Sequence, residues 1–400
     1  MAKRAERMLS RLIEWRRRIH AHPELSFQEF ATARLVAEEL GAIEAMEVQT
    51  EVGGTGVIGT LSGGPGPCVA LRADMDALPI TEANRCSYRS RRPGVMHACG
   101  HDAHTAILLG TARLLGEELT EGGLPGTVRF LFQPAEEDFG DDGRTGAPRM
   151  IREGALEGVD AVLALHMNPG LPHGSLQVND GYTMAGLDTF RGTLSGTGGH
   201  AAYPHRGTDP TWLLLPVLQA LHGIVARRVS PMEPAVVSVG RIHAGTASNV
   251  IPSEVEVEGT FRSYDPDIRE GLIEELERAF SLAASLGGDY SFRVERGEPA
   301  LKNDARVNRR VIEAVRTLFP DCKIHQGPFG MGAEDFSHMT AVVPGSMFFP
   351  GCALPDGIRD LHTPYFDIDE RCLSAGAAIM AESALRLLQR PLQEGEEWKR

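Results

Sequence analysis

Nine consecutive residues, Met96-His97-Ala98-Cys99-Gly100-His101-Asp102-Ala103-His104, bring a cysteine, three histidines and an aspartate together just ahead of an apolar run. A thiolate and an imidazole two positions apart can reach one ion, and both suit zinc or neighbouring transition metals. Gly100 between them permits a tight backbone. The same residues would also serve as a polar helix cap with one buried cysteine, and spacing by itself leaves both readings open. Gln133-Pro134-Ala135-Glu136-Glu137 sets two adjacent carboxylates past another apolar run, where one can bind metal while its neighbour faces a water. His166 follows the apolar run 161–165, and His362 lies in Leu-His-Thr-Pro-Tyr-Phe. Either histidine alone has an ordinary structural explanation. Taken jointly, Cys99, His101, Glu137, His166 and His362 can hold two divalent ions about 4 Å apart, with the cysteine or a carboxylate bridging. Glu136 is then the general base that deprotonates water and passes the proton to a leaving nitrogen. Asp76, in Asp74-Met75-Asp76, is the acceptor that orients a ligand imidazole.

A second set lies further along. His200 sits in Gly-Thr-Gly-Gly-His, Asn249 in Ser-Asn-Val-Ile-Pro and Arg262 in Gly-Thr-Phe-Arg. An imidazole, an amide and a guanidinium are the donors that an oxyanion and a substrate carboxylate require. Turn chemistry accounts for the glycines equally well. Gly54-Thr55-Gly56-Val57-Ile58-Gly59 matches a dinucleotide fingerprint, but that pattern needs a helix after it, and Leu-Ser-Gly-Gly-Pro follows instead.

The elements that must position these groups can be read from periodicity. Residues 4–20 and 28–40 show helical spacing, the stretch 53–67 is rich in turn residues, and 68–73 is a buried strand ending in Asp74 and Asp76. Helices over 103–119 and 148–154 alternate with strands over 127–132 and 161–165, which implies an α/β sheet. Ligands of such sheets bind beyond the carboxyl ends of the strands, where the acids and His166 fall. From about residue 188 the texture changes to a β-α-β-β-α-β order, with helices over 209–225 and 267–286. Helices over 307–318 and 369–388 resume the first texture. The expected division is therefore a catalytic metal-binding domain of 1–187 and 300–400 with an inserted α+β domain of 188–299.

With 40 basic against 54 acidic residues in 400, the chain has no electrostatic footprint for nucleic acid or an anionic membrane, which points to a small-molecule substrate. Neither a signal sequence nor a membrane span of roughly 20 apolar residues is present, so a cytoplasmic location is expected. The six cysteines lack a C-x-x-C pair, which argues against a disulfide framework, and four or five of them are expected to be small buried apolar residues.

The motifs His-Ala-His-Pro-Glu-Leu from His20, Leu-Arg-Ala-Asp-Met-Asp, Met-His-Ala-Cys-Gly-His-Asp, Gln-Pro-Ala-Glu-Glu, Gly-Ala-Glu-Asp-Phe and Leu-His-Thr-Pro-Tyr-Phe occur in order over nearly the whole chain. Together they resemble the amidohydrolase branch of the two-metal aminoacylase and carboxypeptidase superfamily, which includes hippurate hydrolases, indole-acetyl-amino-acid hydrolases and N-acyl-amino-acid deacylases. The resemblance implies a two-metal exopeptidase-like α/β catalytic domain with an inserted ferredoxin-like dimerisation or lid domain, and a homodimer or dimer-based homo-oligomer. It implies Cys99, His101, Glu137, His166 and His362 as ligands of two divalent ions per subunit, manganese or zinc foremost, with nickel and cobalt as alternatives. It also implies Glu136 as base, His200 as oxyanion donor in its own or the partner subunit's site, and Asn249 and Arg262 near the substrate. Other branches carry His-x-Asp where this chain has Asp74-Met75-Asp76, so here the histidine ligand must come from His101. The implied reaction is hydrolysis of the amide of an N-acyl or N-aroyl amino acid. Two alternatives stand beside it: a carboxypeptidase or dipeptidase acting on short peptides, and a non-catalytic metal-binding homologue.

Overall fold

Cys68–Asp74 forms a strand at the middle of a nine-stranded mixed sheet. It pairs in parallel with Thr127–Gln133 on one side and Ala161–Leu165 on the other, and Ala161–Leu165 pairs in parallel with Gly345–Ala353. Strands covered on both faces read as continuous apolar runs, as these do. Val69, Leu71 and Ala73 enter one core with Val128, Phe130, Leu163, Ile107, Leu115 and Met380. Helices His101–Thr120 and Cys372–Gln389 pack on each other and on the central strands, and Leu9–Ala21 packs across the first of them. The parallel order brings the residues that follow each central strand to one edge of the sheet.

The computed structural model describes residues 1–122 and 125–393. Its chain divides into two units, one of Met1–Gly181, Lys302–Phe329 and the chain from Asp335, the other of Tyr182–Leu301 with Gly330–Glu334. Among the described residues no helix is long and apolar enough to cross a membrane.

Several expectations need correction. The stretch taken as turn-rich contains the strand Gly56–Ser62, antiparallel to Met46–Val52 and to Thr127–Gln133. Its glycines serve close packing: a Cβ on Gly59 would stand 3.0 Å from both Leu40 Cδ1 and Met46 Sδ. The single amino-terminal helix is two, Ala2–Arg7 and Leu9–Ala21, divided at Met8. Only Cys99, Cys352 and Cys372 are buried, whereas Cys68, Cys86 and Cys322 are half-buried.

The second unit is a four-stranded antiparallel sheet in the order Ala235–Ala244, Glu254–Ser263, Gly186–Ser195, Asp289–Arg296, with helices Pro210–Arg228 and Pro266–Ser285 packed against it. This is the ferredoxin-like arrangement. Each helix starts from an aspartate followed by proline: Asp209 accepts from the Thr211 amide, and Asp265 from those of Asp267 and Ile268. Phe190, Leu213, Leu221, Phe261, Leu276 and Phe280 fill the space between sheet and helices.

Candidate active site

Gly100 makes the loop that opens the site. Its φ of +93° is left-handed, and a Cβ there would meet Met167 Cγ at 3.0 Å. Glycine alone satisfies both demands, so Cys99 and His101 flank a turn packed directly on Met167. Cys99 Sγ lies 3.3 Å from His166 Nε2 and 3.3 Å from His362 Nε2. His362 Nε2 is 3.2 Å from Glu137 Oε1. His101 Nε2 stands 3.9 Å from that same oxygen and 4.0 Å from Glu136 Oε2. All six residues thus meet in the first unit, in overlapping triads: Cys99 with His101 and His166, Cys99 with Glu137 and His362, His101 with Glu136 and Glu137.

Two residues here have left-handed backbones without being glycine, Ala135 (φ +45°) and His362 (φ +58°). Such conformations cost on the order of 1 kcal/mol or more and persist where surrounding bonds hold them. The Ala135 amide donates to Glu29 Oε1 at 2.8 Å, and the His362 amide to the Ala98 carbonyl at 2.8 Å. The first contact aims Glu136, and the second ties His362 to the Cys99 loop.

Asp76 orients His101: the Nδ1 side of the ring meets the Asp76 carbonyl at 3.0 Å and its Oδ1 at 3.2 Å. Nε2 therefore faces the cluster, buried and without a hydrogen-bond partner among the described residues. Burial disfavours a charged His101, but Asp74 and Asp76 overcome it and push the imidazole up to about 10. Burial, reinforced by Glu137, Glu136 and Asp74, drives the Cys99 thiol well above the usual thiol range. Burial and His104 hold His166 well below the usual histidine range, which keeps it neutral as a ligand must be. A buried imidazole nitrogen without a partner, beside a thiol surrounded by carboxylates, fits a bound cation, because a coordinated thiol is deprotonated outright. The donor set of sulfur, nitrogen and carboxylate oxygen suits zinc and its first-row neighbours.

The last histidine of the cluster, His104, has a role that its sequence position does not announce. His104 Nδ1 lies 2.6 Å from Asp74 Oδ1, and its Nε2 accepts from the Met167 amide at 2.9 Å. Both nitrogens are used, so His104 fixes the strand end beside His166 as a neutral ring with its proton on Nδ1. Asp74 also takes a 2.7 Å bond from Arg72, whose guanidinium reaches Gln133 and Asp335 at 2.8 Å each. The aspartate standing where other branches have a histidine is thereby held by Arg72 and His104. The signal for His104 was its spacing of three from His101, which puts both on one helix face. Glu29, likewise unassigned, left no signal beyond its place as the last residue of the resembling stretch His-Ala-His-Pro-Glu-Leu-Ser-Phe-Gln-Glu from His20.

His200, Asn249 and Arg262 belong to the second unit. His200 lies in a two-residue strand paired with Val250, and the Ala201 amide donates to the Asn249 carbonyl at 3.2 Å. His200 Nδ1 accepts from the Ala202 amide at 3.1 Å, which leaves Nε2 as the protonated nitrogen. Arg262 is half-buried and donates to the Met331 carbonyl at 2.9 Å, with no carboxylate partner among the described residues. Burial holds its guanidinium below the ordinary value.

A thiol, imidazole and carboxylate cluster beyond the carboxyl ends of the parallel central strands, with a second acid adjacent, is the site of a metal-dependent hydrolase. The family model described as peptidase family M20/M25/M40 matches residues 70–386, and the chain belongs to that family. It is 38% identical over 385 residues to the N-acetylcysteine deacetylase of Bacillus subtilis, covering 95% of this chain and 97% of that one. Thermostable carboxypeptidase 2 of Saccharolobus solfataricus is also 38% identical, covering 94% and 95%. Among solved structures, a dinuclear metal binding peptidase of the M20 family from Bacillus subtilis matches with a TM-score of 0.84 at 35% identity, covering 96% of this chain and 99% of that one.

Proposed function

We propose that the protein hydrolyses the amide bond of N-acyl amino acids, releasing a carboxylic acid and a free amino acid. The observation that carries this is the convergence of Cys99, His101, Glu137, His166 and His362 beside Glu136 in one cluster, in which Cys99, His101 and His166 are buried and His362 is exposed. The deacetylase relative supports the substrate class. Cys99, His101, Glu137, His166 and His362 would hold two divalent ions, manganese or zinc, with nickel or cobalt as alternatives. When bound, such ions lower the pKa of water and polarise the scissile carbonyl. Glu136 takes the proton of the attacking water and delivers it to the leaving nitrogen. Asp76 holds His101 in the tautomer that presents Nε2. His200 Nε2–H donates to the developing oxyanion, and Arg262 with Asn249 receives the substrate carboxylate.

The Glu136→Gln variant keeps every donor of the metal cluster and removes the base. Its expected behaviour is two bound ions per chain by elemental analysis with turnover lower by at least about 100-fold; turnover near the original rate would overturn the assignment. The carboxypeptidase relative favours a second reading, cleavage of short peptides. Comparing N-acetyl and N-benzoyl amino acids with dipeptides separates the two. A thiol among the metal donors suits a reducing, cytoplasmic setting.

We assign a homodimer to the second unit. Ala235–Ala244 is an edge strand, and Ile242 on it is exposed, as are Trp212 and Leu215 on the helix packed beside it. An unpaired edge with apolar neighbours suits isologous pairing. Ile242→Lys is expected to shift the chain toward monomer in sedimentation equilibrium; an unchanged dimer would exclude this edge.

A further inference from the structure

An aromatic pair flanks the metal cluster inside the first unit. Phe329 stacks on Phe349 with ring centroids 4.1 Å apart and planes 6° from parallel. The same two rings lie 5.9 and 6.4 Å from the ring of His166. Phe349 is fully buried in the strand Gly345–Ala353, whereas Phe329 is partly exposed. The stack therefore has a buried base and an accessible member.

The loop that carries Phe329 is tied back by a glutamine of the strand Ser175–Gln177. Gln177 Nε2 donates to the carbonyls of Gly327 and Pro328, at 3.0 and 2.9 Å, the two residues immediately before Phe329. Gln177 Oε1 in turn accepts from Asn168 at 2.9 Å, two residues beyond His166. The His166 amide itself donates to the Phe348 carbonyl at 3.1 Å. One hydrogen-bonded frame thus fixes both the metal-facing histidine and the accessible phenyl ring. A substrate carbonyl placed against the ions beside His166 carries its flanking group within reach of that ring.

We infer that Phe329 is a specificity-determining residue that packs against a flat apolar group flanking the scissile amide, so that aryl substrates are favoured over acetyl ones. This rests on the amidohydrolase reading above. The group is either the acyl part or the amino acid side chain, and the two sources share the same chemistry. A rigid phenyl surface, already stacked and desolvated on one side, loses little freedom when a second ring covers the other.

The test compares kcat/KM for N-benzoylglycine, N-acetylglycine and N-acetylphenylalanine in the wild type, Phe329→Ala and Phe329→Tyr. In Phe329→Ala, the preference for one aryl substrate over N-acetylglycine is expected to fall by about tenfold or more, and Phe329→Tyr is expected to retain it. A fall confined to N-benzoylglycine assigns the acyl side; one confined to N-acetylphenylalanine assigns the amino acid side. Ratios unchanged within twofold, or an equal loss on all three substrates accompanied by loss of metal, would overturn the inference. Calorimetric binding of benzoate against acetate keeps it separable from the reaction. If the wild type cleaves none of the three, the amidohydrolase reading fails, while a tenfold loss of benzoate preference in Phe329→Ala still upholds the aryl surface and an unchanged preference removes it.

Discussion

His104 shows what a single residue does here that its type does not announce. Of the histidines in Met96–His104, His101 presents Nε2 to the cluster, while His104 spends both nitrogens on Asp74 and the Met167 amide. Partners of this kind set ligand geometry, and their loss usually costs about 10–100-fold in metal affinity or activity. His104→Ala is therefore expected to weaken metal binding by that factor, measured by competition with a chelator. His104→Gln, which can still accept from the Met167 amide, is expected to recover much of it. The proposed metal donors could be picked out in the sequence where they adjoin an apolar strand end or a glycine, as Glu137, His166, Cys99 and His101 do, whereas His362 stands in a loop and was marked by its resembling motif. His104, Arg72 and Glu29 were not legible in the same way. Which histidine is saturated by hydrogen bonds, and which carboxylate holds a strained amide, depends on contacts between segments far apart in the chain, such as Glu29 with Ala135 and Arg72 with Asp335.

At the scale of elements, the turn into His101–Thr120 is the most constrained joint. Gly100→Ala would put a Cβ on a left-handed residue and 3.0 Å from Met167 Cγ. The two effects together are expected to cost about 2–4 kcal/mol and to displace Cys99 from His166. The check is a lowered melting temperature together with weaker metal binding; a variant with wild-type stability and metal content would mean that the turn is looser than its geometry implies. Elements were legible where periodicity was unbroken, as in Cys68–Asp74 and Ala161–Leu165. They were obscured where breaker residues had another purpose. Gly345–Ala353 carries Pro350 and Gly351 because the strand changes partners there, from Ala161–Leu165 in parallel to Ser175–Gln177 in antiparallel and then to Asn168–Pro172. Gly56–Ser62 reads as turn because Gly59 admits Leu40 and Met46 and Gly56 admits the Val52 carbonyl and Pro134, tertiary demands that composition cannot reveal.

Across the whole first unit, Arg16 binds segments that the sequence keeps far apart. Its guanidinium is fully buried and meets Asp102 at 2.9 Å, Asp367 at 2.8 Å and Glu370 at 3.1 Å, while Tyr88 also donates to Asp367. The helix Leu9–Ala21, the helix His101–Thr120 and the segment before the last helix are joined at one cation. Burial opposes the charge on Asp367, but the charge of Arg16 and its hydrogen bond win, and the carboxyl is held below the usual carboxylate range. A carboxyl with a depressed folded value stabilises the fold above its unfolded value of about 3.9, and that contribution disappears as pH falls toward the folded value. Asp367→Asn leaves Arg16 with Asp102 and Glu370, so the expected loss at pH 7 is about 2 kcal/mol, the scale of one hydrogen bond to a charged group. The sign of the pH effect distinguishes this from simple misfitting. Between about pH 4 and pH 2 the wild type should lose stability more steeply than the variant, because only the wild type has this proton to take up on unfolding. Denaturant midpoints of both proteins across that range measure the difference, and parallel curves would show that Asp367 contributes packing and not charge.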